Sequence, residues 1–411
     1  MGELRGTCVV AQSGGPTAVI NASILGVIEA AIQSPSITRA LGAINGVQGL
    51  LEQRLCDLGA EDPRELALLA QTPAAALGSC RYRLREEADF KRLLEIFRAY
   101  DVRYFFYNGG NDSMDTCDRI SRYMAQVGYE CRVIGVPKTI DNDLDLTDHC
   151  PGYGSAARYI AASAMEIRRD IQVYNTDSVI ILEIMGRHAG WLAGSAALAG
   201  TVDQGPDLVY LPEIPFSLEA FLDDVDRVRR ASGGKCMVAI SEGVQNEAGE
   251  FFTGGAMAGM TDSFGHTQLG GLASSLAALV RDKLGVKKVR GIELSLLQRC
   301  AAHFASGRDI SEARMAGRAA VEAALAGHTG KMVAFRCSRT GGYRCEPTLV
   351  ELSQVANQEK RVPREWINSA GNGVTSGFLD YLSPLVQGDF SPVLEQGLPR
   401  YARLKLAPIQ R

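Results

Sequence analysis

The sequence predicts an α/β fold of parallel sheets with helices on both faces, and three observations carry that reading. Short β-branched or aromatic runs alternate with longer helix-period stretches along the chain, as in strand–helix–strand units. Four of the loops that follow apolar runs are rich in Gly or Asp, and ligands of such sheets sit beyond the carboxyl ends of the strands. With 411 residues, 46% hydrophobic and 22% charged, the chain can build two or three domains and lies far from disordered compositions.

Taken in order, Thr7–Ala11 is an apolar run that opens the chain as a strand, and Glu86–Tyr100 has the helix period. Arg103–Tyr107 is aromatic and strand-like, as is the β-branched Arg132–Val136. Ala156–Ile171 returns to the helix period before the buried run Ser178–Ile184 and the short strand Leu208–Leu211. Leu218–Arg230 is amphipathic, Cys236–Ile240 and Val289–Leu294 are strands, Ser311–Ala326 is a helix and Met332–Phe335 a last strand. No repeat of solenoid length is present.

Composition excludes several functions. The 43 Lys+Arg against 47 Asp+Glu leave a net charge of -4, with no sustained basic stripe to follow a nucleic-acid backbone. No nucleic-acid partner is expected. The ten cysteines form no C-x-x-C pair and read as buried thiols of a reducing compartment. No stretch is apolar enough for a signal peptide or membrane span, so the expectation is a cytoplasmic protein without a membrane partner.

The four loops carry the chemistry. Gly14-Gly15, in SGGPT after the first strand, let backbone N–H groups approach an anion at a helix N-terminus, although an ordinary strand-to-helix turn has the same look. Asn111 and Asp112, in NGGNDS, put an amide and a carboxylate where the next loop closes. A carboxylate beside phosphate implies a bridging Mg²⁺; Asp112 or Ser113 could equally act as no more than a helix cap. In PKTIDND, Lys138 precedes Asp141 and Asp143, so the loop can offer a general base, a metal ligand and an ammonium to a transferring phosphoryl group. Met185-Gly186-Arg187 places a guanidinium at the end of a buried strand, a position suited to bidentate phosphate contact. Glu242 and Arg299 likewise follow apolar runs, where each could equally be a structural ion pair.

Together the segments SGGPTAVINAS, GSCRYRL, NGGNDSMD, PKTIDNDL, MGRHAGW, ISEG and LLQR occur in the order of the phosphofructokinase family, and the chain resembles that family over nearly its whole length. The resemblance implies two Rossmann-like three-layer domains with mainly parallel sheets and the active site in the cleft between them. The expected division is a pyrophosphate domain over residues 1–140, a sugar-phosphate domain over 141–330 with late segments returning to the first, and a C-terminal extension over 331–411 packed on the core. Asp112 and Lys138, where ATP-using relatives carry glycine, point to the pyrophosphate-dependent branch. That branch reversibly transfers phosphoryl from pyrophosphate to the 1-hydroxyl of fructose 6-phosphate, in glycolysis.

By the same resemblance Asp141 is the base, Lys138 and Arg81 hold phosphoryl oxygens with Gly14 and Gly15, and Asp112 is counted among the catalytic groups. Asn111 and Asp143 hold Mg²⁺ or its waters. Thr139, Ile140, Asp141, Met185, Gly186, Arg187, Glu242, Arg290 and Arg299 face the sugar phosphate, Arg290 across a subunit interface of a homodimer or homotetramer. Departures from the family pattern are Asn111 in place of an aspartate, and Ser178 and Leu296 in place of donors to the 6-phosphate. They leave sedoheptulose 7-phosphate open as the acceptor. The family also contains ATP-dependent kinases and non-catalytic regulatory subunits, and either role is compatible with the resemblance. The stretch 355–368, VANQEKRVPREWIN, looks like a feature of the pyrophosphate-dependent branch and has no chemical role readable from its residues.

Overall fold

The computed structural model describes residues 4–252 and 269–409. Its two main sheets are built from β1 (Gly6–Gln12), β2 (Ile37–Ala43), β3 (Leu55–Asp57), β4 (Val102–Gly109), β5 (Arg132–Pro137), β6 (Ser178–Ile184), β7 (Leu208–Tyr210), β8 (Lys235–Ser241), β9 (Lys288–Glu293), β10 (Lys331–Ser338) and β11 (Arg344–Glu351). They make a seven-stranded sheet in the order β11-β10-β5-β4-β1-β2-β3 and a four-stranded sheet in the order β7-β8-β6-β9. The second is parallel throughout. In the first, only the outer pairs β2–β3 and β10–β11 are antiparallel.

Burial on both faces explains the apolar runs. Along β4, Tyr104 and Phe106 enter one core with Ile24, Ile28 and Val321, while Phe105 and Tyr107 enter the opposite core with Phe97, Met114 and Ile120. The helices Ile20–Gln33 and Gly307–Leu325 share the first face and cross closely. A Cβ at Gly26 would stand 2.0 Å from the Arg314 carbonyl oxygen, and one at Gly317 would stand 1.9 Å from that of Ser23. In the smaller sheet Val179 and Ile181 face Phe221 and Leu276, whereas Leu182 and Ile184 face Tyr153, Trp191 and Phe378.

The expected strands and helices are present with ends shifted by a few residues. Three strands carry no apolar signature. β3 has three residues, β2 exposes Thr38 and Arg39, and β11 is a largely exposed edge strand that accommodates Pro347. β10 pairs in parallel with β5 through Lys331↔Ile134 and Met332↔Gly135, so the first sheet contains strands from both ends of the chain.

Register sets the position of the site. Gln12, Asn108 and Val136 are level across β1, β4 and β5, so the loops beginning at Ser13, Gly110 and Lys138 leave one sheet edge together. In the smaller sheet Ile184 is level with Ser241, and Glu183 with Glu293. The loops at Met185, Glu242 and Leu294 therefore also leave from one edge.

Candidate active site

The loops from the two edges face each other across a cleft of about 650 Å³. On the first side Gly14 adopts φ +78°, and a Cβ there would lie 3.2 Å from Lys138 Nζ; a Cβ at Gly15 would lie 3.4 Å from an Arg299 guanidinium nitrogen. The glycines thus let main chain and cations crowd together. Lys138 is buried and donates to the Gly15 carbonyl at 2.7 Å. Burial pushes its ammonium down to about 8, against the opposing pull of Asp141 and Asp143.

The loop after β5 is held from behind. Asn142, at φ 57°, accepts from the Cys150 N–H at 2.9 Å and donates to the Tyr381 hydroxyl at 2.7 Å. This turns Asp141 and Asp143 toward the cleft, where both line the cavity. The Asp141 N–H donates to Thr139 Oγ1 at 3.1 Å. Desolvation, then the charge of Asp143, raises the Asp141 carboxyl to about 7; Lys138, Arg187 and Arg299 act in the other direction. A carboxylate so tuned can serve as a general base near neutrality.

Asn111 opens the helix Asn111–Gln126 and donates to Asp143 Oδ2 at 3.3 Å. The other two oxygens, Asn111 Oδ1 and Asp143 Oδ1, are buried and have no hydrogen-bond partner. Unpartnered buried oxygens on two residues in direct contact fit a hard divalent cation. Asp112 does not cap its helix: Gly110 occupies the N-cap, and the Asp112 carboxylate accepts from Arg83 at 2.5 Å at the cleft mouth.

Across the cleft, Gly186 sits at φ +122°, and a Cβ there would meet the Ala189 carbonyl at 2.6 Å. Ser241 Oγ donates to the Gly186 carbonyl at 2.5 Å and accepts from Gly243 N–H at 3.1 Å, locking the loop of Arg187 against that of Glu242. Buried Gln298 accepts from the Met185 N–H at 3.2 Å and places the neighbouring Arg299 at the wall. Desolvation, with Asp141 and Glu183 nearby, raises the Glu242 carboxyl to about 7. Burial and the Arg81 charge lower the affinity of Arg299 for its proton.

Of the residues singled out in the sequence, Gly14, Gly15, Arg81, Asn111, Asp112, Lys138, Thr139, Ile140, Asp141, Asp143, Met185, Arg187, Glu242 and Arg299 line this one cleft. Gly186 shapes it from behind, and Arg290 lies exposed on β9, outside the lining. Sequence reasoning missed Arg83, His188, Asn357, Glu359 and Arg361, which also line it. Arg83 belongs to the segment GSCRYRL, two residues from Arg81, and that proximity was a usable signal. The last three come from the stretch without a readable role. That stretch is tied in by the Lys360 N–H to the Asp143 carbonyl at 2.8 Å, Val362 N–H to Glu213 at 2.9 Å, and Glu359 to His188 at 3.0 Å.

Paired α/β sheets whose loop edges enclose cations, glycine main chain and a carboxylate tuned to neutrality define a phosphoryl-transfer enzyme. The chain belongs to the phosphofructokinase family: the pattern described as Phosphofructokinase matches residues 7–292. It is 44% identical over 409 residues to a pyrophosphate--fructose 6-phosphate 1-phosphotransferase of Halomonas elongata, covering 98% of this chain and 96% of that one. A protein of the same name from Xanthomonas campestris is 45% identical over 410 residues, with the same coverage. The crystal structure of a pyrophosphate-dependent phosphofructokinase from Marinobacter aquaeolei superposes with a TM-score of 0.90 at 42% identity, covering 99% of this chain and 98% of that one. Kinases of this family are generally metal-dependent. Among the described residues no helix is long and apolar enough to cross a membrane.

Proposed function

We propose that the chain reversibly transfers a phosphoryl group from pyrophosphate to the 1-hydroxyl of fructose 6-phosphate, giving fructose 1,6-bisphosphate and phosphate. The observation that carries this reading is Asp141, raised to about 7 in a cleft whose walls supply phosphate-binding groups from both sheets. The Asp141 carboxylate takes the sugar hydroxyl proton as its oxygen attacks. Lys138 and Arg81 face the transferred phosphoryl oxygens, with Gly14 and Gly15 at the terminal phosphate. The transition state is loose, so placement and charge supply most of the acceleration.

Thr139, Ile140, Met185, Gly186, Arg187, Glu242 and Arg299 fix the sugar phosphate, and exposed Arg290 is assigned to the site of a neighbouring subunit in a homodimer or homotetramer. Mg²⁺ suits the two orphaned oxygens of Asn111 and Asp143 and, when bound, neutralises pyrophosphate charge. Asp112 supports pyrophosphate over ATP, because its carboxylate and the paired Arg83 occupy the mouth where an α-phosphate would extend. Ten cysteines outside any disulfide support a cytoplasmic setting.

The test is an assay of the purified chain with pyrophosphate or ATP as donor and fructose 6-phosphate or sedoheptulose 7-phosphate as acceptor. The expected result is saturable turnover of pyrophosphate with fructose 6-phosphate. Turnover with ATP alone overturns the donor assignment, preference for the longer sugar overturns the acceptor, and no turnover with any pair overturns both.

A further inference from the structure

The β10–β11 hairpin carries two cysteines, neither of which lines the cleft. Cys337 on β10 is directly opposite Cys345 on β11. Opposed residues of an antiparallel pair hold their Cα atoms about 4.5–5.5 Å apart, inside the span of about 4.4–6.8 Å that a disulfide bridges. The Cys345 thiol donates a hydrogen bond to Cys337, and both residues are half-buried rather than sealed in a core. We propose that the pair is a peroxide-reactive site, with Cys337 the nucleophile, Cys345 the resolving thiol, and the product a disulfide across the hairpin.

The surroundings single out Cys337 as the nucleophile. Its Sγ lies 3.8 Å from Nδ1 of buried His149. That nitrogen is 3.1 Å from Asp148 Oδ1, and Nε2 is 2.8 Å from Glu312 Oε2. Against its burial, Asp148, Cys337 and Glu312 hold the imidazole as a cation, well above its usual range. Arg339 grips Asp148 at 2.8 and 2.9 Å, and Arg308 packs 4.3 Å over the Tyr343 ring. The Tyr343 hydroxyl donates to Glu312 Oε1 at 2.8 Å and stands 3.5 Å from Cys337 Sγ. Exposed Arg336, Arg344 and Glu346 alternate to the other face of the hairpin. Three cations, His149, Arg339 and Arg308, therefore stand against the two carboxylates Asp148 and Glu312, and a thiolate balances them.

The Cys345 hydrogen bond, opposed by burial and helped by the imidazole, pulls the Cys337 thiol below its ordinary range, and the same bond pushes Cys345 up. A thiolate beside a protonated thiol is the pairing of a reactive cysteine with its resolving partner. Elsewhere burial pushes the thiols of Cys8, Cys56, Cys117, Cys131, Cys150 and Cys236 up, which leaves them inert. In the first step the Cys337 thiolate attacks one peroxide oxygen: the S–O bond forms, the O–O bond breaks and hydroxide leaves. The Cys345 thiol then attacks the Cys337 sulfur of this sulfenic acid. The S–S bond forms, the S–O bond breaks, and the thiol proton departs with the oxygen as water. The pair loses two electrons and the peroxide gains two. Oxidation removes the negative charge that faces His149.

The experiment uses the full chain, freshly reduced, with hydrogen peroxide as the probe and peptide mass mapping as the readout. A single equivalent of peroxide should give a cross-linked Cys337–Cys345 peptide as the main oxidised product, reversed by dithiothreitol. In Cys345→Ser, dimedone should trap a sulfenic acid at Cys337. Because a variant can disturb the hairpin, the wild-type thiols are also alkylated with iodoacetamide at about pH 8 and about pH 6. Over that interval labelling of the urea-unfolded chain should fall roughly 10- to 100-fold, and that of Cys337 in the folded chain only about two- to threefold. Oxidation that falls first on Cys300 or another thiol, a disulfide between two chains, or Cys337 labelling that drops as steeply as in the unfolded chain overturns the proposal.

Discussion

The two walls of the cleft are built by different means. On the side of the larger sheet the chemistry sits on tightly held main chain: Gly14-Gly15, Lys138 clamped to the Gly15 carbonyl, and Asp141 and Asp143 on a turn propped by Asn142. On the side of the smaller sheet the surface is made by long side chains, Arg187, Glu242 and Arg299, whose bases are tied down by Ser241 and Gln298. Main chain cannot be retuned by single substitutions without strain, whereas long side chains can be exchanged one at a time. The first wall therefore suits the invariant part of the chemistry, the phosphoryl group, and the second suits the choice of acceptor.

The sharpest way to break this contrast is Asp141→Ala. It should lower turnover by roughly 10² to 10⁴, typical of losing a positioned base, with little change in the Michaelis constant for the sugar phosphate. Steady-state kinetics check it, and near-normal turnover would move the chemistry off the first wall. On the second wall, Arg299→Ala should raise the sugar-phosphate Michaelis constant by roughly 10- to 100-fold, the scale of one lost charge-assisted hydrogen bond, and that for pyrophosphate far less. Equal effects on both substrates would show that the walls do not divide the labour.

Asn142→Ala probes the prop behind the first wall. Leaving the Cys150 N–H without its partner should destabilise the fold by about 1–3 kcal/mol, read by denaturant melts, and lower turnover more than sugar affinity. The pH profile is a milder test. Asp141 must lose its proton to act as base, so kcat/KM for the forward reaction should rise with pH through about 7. Lys138 must keep its proton, so it should fall through about 8. In Lys138→Arg the descending limb should move to higher pH. The smallest expected change is Asp112→Gly, which removes the Arg83 partner at the mouth and should shift donor preference partway toward ATP in competition assays.

What the sequence made legible follows the same division. SGGPT, NGGNDS and PKTIDND are contiguous, each follows a buried strand, and their chemistry is local, so the first wall could be read from the residues. The parallel strands were legible because both faces are buried. Pro347 and the exposed residues of β11 hid an edge strand, since an edge does not require an apolar run. Asn357, Glu359 and Arg361 were illegible as cavity residues for another reason. Their position depends on Lys360 meeting the Asp143 carbonyl and Val362 meeting Glu213, contacts between distant segments with no local signature.

The placement of β10 beside β5 has a consequence for synthesis. The smaller sheet uses only residues between Ser178 and Glu293, so all its strands leave the ribosome before β10 exists. The larger sheet must wait with β5 at an open edge for nearly two hundred residues, counted from Pro137 to Lys331. An unpaired strand edge is a template for wrong partners. The nascent chain is thus most exposed to misassociation through the half of the molecule that was made first, and the cleft is completed only when its C-terminal lining arrives.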